Sequence, residues 1–188
     1  MAAAPTNLPS ITRVIADFRR ALDEPARPPS NGVLGLLLDL HHNNVVQWNR
    51  EDAARRDDAD DRAVAAAKRD IDALNTKRHE LVEAIDAALA AGIDQTPAAP
   101  PTTESPAMTF DRLSVLVIRI SSTESAASSE RADRDLYAAR LPVLHQQLAL
   151  LREALEALFD DVRAGRKRFL PYQSLKLYGP HAAGIRRD

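Results

Sequence analysis

Proline constrains this chain more than any other residue. Its ring fixes φ and removes a backbone donor, so it suits the first turn of a helix and breaks a helix interior. Twelve prolines occur, at 5 and 9, at 25, 28 and 29, at 97, 100, 101 and 106, and singly at 142, 171 and 180. Between Pro29 and Pro97 there is none, and only the glycines at 32, 35 and 92 interrupt the run. A long proline-free stretch rich in Ala, Leu, Asp and Arg predicts helices. Aromatic residues make up 4% of the chain, too few for the side-chain chemistry that dominates sheets.

Apolar periodicity divides the chain into five helices. The first is predicted over about Ser10–Leu22, with Ser10 as N-cap and Ile11, Val14, Ile15, Phe18 and Leu22 on one stripe. The second covers about Val33–Arg56 and the third about Asp60–Ala91, closed by Gly92. Residues 94–107 read as a flexible Pro/Thr-rich linker. A fourth helix begins near Thr109, with Leu113, Leu116, Val117 and Ile120 on one face and a polar stretch blurring its end. The last is expected to open at Leu141-Pro142 and run to Gly165, followed by an apolar tail that packs back on the bundle. The prediction is a single all-α domain over residues 1–188, a bundle of about five helices with a packed C-terminal tail.

Several functions fall away on composition. With no cysteine there are no disulfides, thiolate nucleophiles or Cys-based metal sites. A net charge of −2 argues against a nucleic-acid surface, and the run Arg166-Lys167-Arg168 sits where cations complement a helix C-terminus. The N-terminal sequence carries no basic region followed by an apolar run, and no apolar stretch is long enough to span a bilayer. No membrane association is expected, and a cytoplasmic location is.

Two helices carry an unusual mixture of polar side chains. On the second, His41, Asn44, Val45, Trp48, Asp52 and Arg55 fall within about a third of the circumference at 3.6 residues per turn, with Glu51 at the edge. Trp48, the only tryptophan, has Asn44 and Asp52 one turn to either side. On the third, Lys68, Asp72, Asn75, His79, Val82 and Asp86 share a face, with Arg78 and Glu83 beside it. Antiparallel packing could turn the two stripes toward each other around a polar pocket. The plainer reading is a solvated salt-bridge ladder through Arg55, Lys68 and Asp72. Imidazole, amide and indole groups at helical spacing favour the pocket.

Without a reactive thiol or a Gly-rich phosphate loop, carboxylate or metal chemistry is left. Glycoside hydrolysis needs two carboxyl groups about 5–9 Å apart. Glu51 or Asp52 with Asp72 or Glu83 could supply them, while the Trp48 face stacks on a sugar ring. A divalent metal held by Glu51, Asp52, Glu83 and Asp86 is the alternative, without the Glu-x-x-His pairing of di-iron bundles.

The sequence at these residues resembles a bacterial all-helical family of unknown function. Leu40, His41, Asn44, Trp48, Glu51, Asp52, Ala54 and Arg55 match one of its motifs. Lys68, Arg69, Ile71, Asp72, Asn75, Arg78, Glu83, Ile85 and Asp86 match a second, in which His79-Glu80 replaces an Asn-Asp pair. Met108 and Asp111-Arg112-Leu113-Ser114 look like a third element, and Tyr172, Gln173, Lys176 and Tyr178 like a C-terminal signature. Some members are associated with surface-polysaccharide genes, and the chain is similar to a hydrolase type acting on methylmannose polysaccharides. The resemblance implies an intracellular endo-mannosidase that needs no cofactor. Glu51, Asp52, Asp72 and Glu83 are its candidate carboxylates. His41, Asn44, Trp48, Arg55, Asn75, Arg78, Gln173, Lys176 and Tyr178 are candidate substrate contacts. A metal-dependent helical phosphohydrolase and a non-catalytic partner in polysaccharide assembly are the alternatives, and apolar stripes on the long helices point to a homodimer.

Overall fold

The computed structural model describes residues 10–24, 31–55 and 60–175. They form five helices: α1 (Ile11–Asp23), α2 (Gly32–Ala54), α3 (Asp61–Gly92), α4 (Pro106–Ala127) and α5 (Arg134–Arg163). No helix among them is long and apolar enough to cross a membrane.

Local chemistry explains most of the boundaries. The Ser10 hydroxyl accepts from the Arg13 amide, as expected of an N-cap. Asp60 does the same for the Ala63 amide at the start of α3, at 2.7 Å. α4 starts three residues earlier than Thr109, because Ser105 caps the Met108 amide and Pro106 occupies the first turn. α5 departs further from expectation. It begins at Arg134, so Pro142 lies inside the helix rather than opening it. Pro142 is exposed, and in the turns before it the Tyr137 ring meets the guanidinium groups of Arg131 and Arg140, 5.5 and 5.3 Å from its centroid.

The α5 C-terminus closes with a glycine turn. Gly165 has φ +68°, its amide donates to the Val162 carbonyl, and the Arg166 amide donates to that of Asp161. A Cβ at Gly165 would also lie 2.6 Å from Thr96 Oγ1, so both backbone and packing require glycine here. Arg166 and Lys167 pair with Asp161, in keeping with a helix-terminal role for this basic run.

α4 is the central element and touches each of the other four helices. Phe110, Leu113, Leu116, Val117, Ile118 and Ile120 are buried along it, covering most of its circumference. Around it pack Val14 and Phe18 of α1, Leu37 and Leu40 of α2, Ile85 and Leu89 of α3, and Leu155 and Phe159 of α5. Each such side chain contributes about 1.5–3 kcal/mol through removal from water.

Of residues 94–107, expected as a linker, Pro106 and Ala107 belong to α4, and 94–105 are tied to the segment after α5. The Thr102 amide donates to the Arg168 carbonyl and the Arg168 amide to the Pro100 carbonyl, at 2.8 and 3.0 Å. The Phe169 amide donates to Gln95 Oε1, and the Phe169 ring is buried in the core. Beyond it the tail is held on the bundle at Tyr172 and Ser174, while Leu170 and Leu175 are exposed.

Candidate functional site

The α2 stripe has two environments. Its first half is sealed into a polar network between helices. His41 is fully buried, stacked on Phe18 with ring centroids 4.4 Å apart, and its Nδ1 lies 2.8 Å from Ser114 Oγ. Asn44 donates through Nδ2 to Asp111 Oδ1 at 2.9 Å and to Ser114 Oγ at 3.1 Å. Arg78 of α3 grips Asp111 through Nε and Nη2. Asp111 is 1% exposed, and the Arg78 fork and the Asn44 amide take the place of water around its carboxylate. Three helices are thereby fixed in register by side chains in van der Waals contact with an apolar core.

The second half borders open space. Trp48, half-buried, and Asp52, exposed, line a cleft of about 620 Å³ between α2, α4 and α5. Arg119, Ser122 and Thr123 supply its α4 wall, and Tyr137, Arg140, Val143 and Leu144 its α5 wall. Arg55 bridges the neighbouring acids, donating through Nη2 to Glu51 at 2.9 Å and through Nη1 to Asp52 at 3.5 Å. One guanidinium thus holds the two carboxylates as neighbours, and of the two only Asp52 lines the cleft. Glu51 also accepts from Gln47, which donates in turn to Asn75 of α3.

A second cleft of about 600 Å³ continues past Arg119 on the other side. Arg78, Arg112, Arg119 and Gln147 give it polar donors, and Leu116, Leu150 and Leu151 give it apolar walls. Arg112 pairs with Glu104, whereas no carboxylate among the described residues pairs with Arg119.

α2 and α3 do pack as an antiparallel pair, but through other residues than expected. Asn43 donates to the Leu74 carbonyl, Gln47 to Asn75, and Arg50 pairs with Asp70. The stripe of His41, Asn44 and Trp48 faces α4 instead, because Asp111 and Ser114 offer it partners there. Asp72 is exposed on α3. Glu83 lies eight residues beyond Asn75, about 12 Å further along the helix axis. Its carboxylate accepts from the Ser174 amide at 2.5 Å. Glu51 and Asp52 are therefore brought together with each other, and not with Glu83.

Asp86 is fully buried and has a structural task. It accepts from the Ala107 amide at the start of α4 and from the Tyr172 amide of the tail, each at 2.9 Å. Burial pushes its carboxyl above the usual range, opposed by the hydrogen bonds from Ser105, Tyr172 and Ala107. Tyr172 also stacks on His79, with its hydroxyl 2.9 Å from Nδ1. The four acids considered as a metal set are thus split between two ends of the bundle. Among the described residues no group of three or more His, Asp or Glu is placed to hold a metal ion. Gln173 is exposed, and Lys176 and Tyr178 lie outside the described residues.

Asp111, Ser114, Arg119 and Tyr137 were absent from the candidate set. Asp111 and Ser114 carry a readable signal, since polar residues three apart interrupt the apolar stripe of Phe110, Leu113 and Val117. Arg119 and Tyr137 carry none, because only packing aligns them with Trp48.

Residues 35–170 match the model of a family described as a protein of unknown function (DUF4254), and the chain belongs to that family. No curated protein and no solved structure matches it.

Proposed function

We propose that this member of the DUF4254 family is a glycoside hydrolase that takes a polysaccharide chain into the Trp48 cleft, with Glu51 and Asp52 as its carboxyl pair. The observation that carries the reading is the Trp48–Asp52 wall itself. An indole face, a carboxylate joined through Arg55 to a second carboxylate, and an open groove occur together on one helix end. In the reaction, one carboxyl group, protonated, gives its proton to the glycosidic oxygen as the bond to the anomeric carbon breaks. The other either attacks that carbon or takes a proton from the water that does, and water ends on the new reducing end.

The lining also favours a methylated sugar. Ala126, Ala139, Val143 and Leu144 give the cleft apolar ground beside Trp48, which suits O-methyl groups and the C–H face of a ring. Ser122, Thr123, Arg119 and Arg140 offer hydrogen bonds to the remaining hydroxyls. A methylated mannose polysaccharide, the substrate class implied by the sequence resemblance, meets both requirements.

Incubating the chain with methylated mannose oligosaccharides, with products read by mass spectrometry, tests the activity. Wild type should shorten them, and Asp52→Asn and Glu51→Gln should lose turnover while retaining the helical circular dichroism of wild type. As the only tryptophan, Trp48 reports binding by its own fluorescence. Neither cleavage nor a change in that emission on titration would defeat the proposal.

A further inference from the structure

The cleft on the far side of Arg119 differs from the Trp48 cleft in charge. Its lining holds three guanidinium groups, those of Arg78, Arg112 and Arg119, against the single carboxylate of Asp111. The chain as a whole has a net charge of −2, so this excess of cations runs against its overall balance.

The three arginines are held in different ways. Arg78 spends Nε and Nη2 on Asp111, while its Nη1 donates to none of the described residues. Its side chain is 31% exposed, and its anchor is 1% exposed. A guanidinium fixed along one edge and open along the other is preorganised, because little rotamer freedom is left to lose on binding. Arg112 pairs with Glu104, which lies outside the lining, and both side chains are largely in water. Exposed pairs of this kind contribute little and exchange readily for another anion. Arg119 has no carboxylate partner among the described residues. Arg112 and Arg119 stand seven residues apart on α4, which keeps them on one face, about 10 Å apart along the axis. Two long side chains can close that gap on one ligand. Between them Val115 and Leu116 form an apolar floor, and Leu150 and Leu151 of α5 form the facing wall.

These features select a ligand class. Guanidinium forks match phosphate oxygens in pairs. A phosphate monoester carries close to two negative charges at neutral pH, which balances the excess in the lining, whereas a carboxylate would balance half of it. Free phosphate would leave the leucine wall in water. The volume of about 600 Å³ lies in the range of small-molecule sites. We propose that the cleft between α3, α4 and α5 binds a soluble phosphate monoester, its phosphate on the three arginines and an apolar body on the leucine wall. Gln147 adds a neutral donor. The site stands whether or not the Trp48 cleft takes saccharide.

Titration calorimetry on the full chain tests it with three probes: hexyl phosphate, inorganic phosphate and 1-hexanol. Hexyl phosphate should bind, more tightly than inorganic phosphate, and hexanol should not bind. Arg119→Gln removes the unpaired cation and should weaken hexyl phosphate by about tenfold. Leu150→Asp places a carboxylate in the apolar wall, at a side chain 58% exposed, and should weaken it at least as much with unchanged circular dichroism. Raising the salt concentration should weaken binding to wild type. No binding of hexyl phosphate, or binding indifferent to both substitutions, would overturn the site. Equal binding of hexanol would overturn the role of the arginines, and equal binding of inorganic phosphate that of the apolar wall. Capture by phosphatidic acid vesicles without binding of hexyl phosphate would replace the soluble ligand with a membrane.

Discussion

His41 and Asn44 share a face of α2 with Trp48 and Asp52, yet the first pair is enclosed among α1, α3 and α4 while the second borders an open cleft. The difference lies across the gap. Opposite His41 and Asn44, α4 presents Asp111 and Ser114 at hydrogen-bonding distance. Opposite Trp48 and Asp52 it presents Arg119, Ser122 and Thr123 across space that none of the described residues fills. Polar residues whose partners are in contact set helix register; polar residues facing a void are available to a ligand. One stripe of helical spacing thus contains both a structural network and a candidate site, divided at about Gln47.

The contrast makes graded predictions. Asp111→Ala should have the largest effect. It strips the Arg78 guanidinium and the Asn44 amide of their acceptor and should destabilise the fold by about 3–5 kcal/mol, read by urea denaturation. His41→Ala comes next, at about 2–4 kcal/mol, since it removes the Phe18 stack, leaves the Ser114 hydroxyl short of a partner and opens a cavity. Should either variant match wild-type stability, the enclosed half of the stripe would lose its structural role.

Asp86 separates two kinds of buried acid, because amides rather than a guanidinium hold it. Its carboxyl titrates above the usual range in the folded chain, so the folded state binds the proton more tightly than the unfolded state. The stability contributed by this group is complete below about pH 4, where the unfolded carboxyl is protonated, and declines as pH rises through the elevated folded value. Stability measured at successive pH values should therefore fall less steeply over that window in Asp86→Asn than in wild type. The smallest stability change belongs to Asp52→Asn, within about 1 kcal/mol, as expected of an exposed ion pair. Its effect should appear instead as lost turnover. A large stability loss in Asp52→Asn would erase the distinction between the two halves of the stripe.

How much of this could be read from sequence depended on how local the cause was. Ser10 capping α1, the proline-free span of α2 and α3 and the apolar stripe of α4 are encoded within a few turns, and they were legible. The start of α5 was not, because Pro142 has the chemistry of a first-turn residue and only the Tyr137 arrangement shows the helix already under way. The α2 side chains share a face as their spacing requires, but the direction of that face was not legible. Periodicity places His41, Asn44, Trp48 and Asp52 on a common face without saying which helix that face meets. Asp111 and Ser114 decided the matter, and their role emerges only when α4 is set in the middle of the bundle. The acids of α3 misled for the same reason. Glu83 and Asp86 look like site carboxylates until backbone amides from residues 107, 172 and 174 reach them.

The Asp86 clasp has a consequence for the order in which the molecule is completed. One carboxylate oxygen serves the entrance of α4, which follows it by 21 residues, and the other serves Tyr172, 86 residues downstream. As the chain emerges during synthesis, the first bond can close early, but the second waits until nearly the whole polypeptide is made. Until then the acid at the base of α3 must stay hydrated, and the lower end of the bundle must remain open to water. Closure of this end is therefore a late event, set by a residue near the C-terminus rather than by the helices that form most of the core.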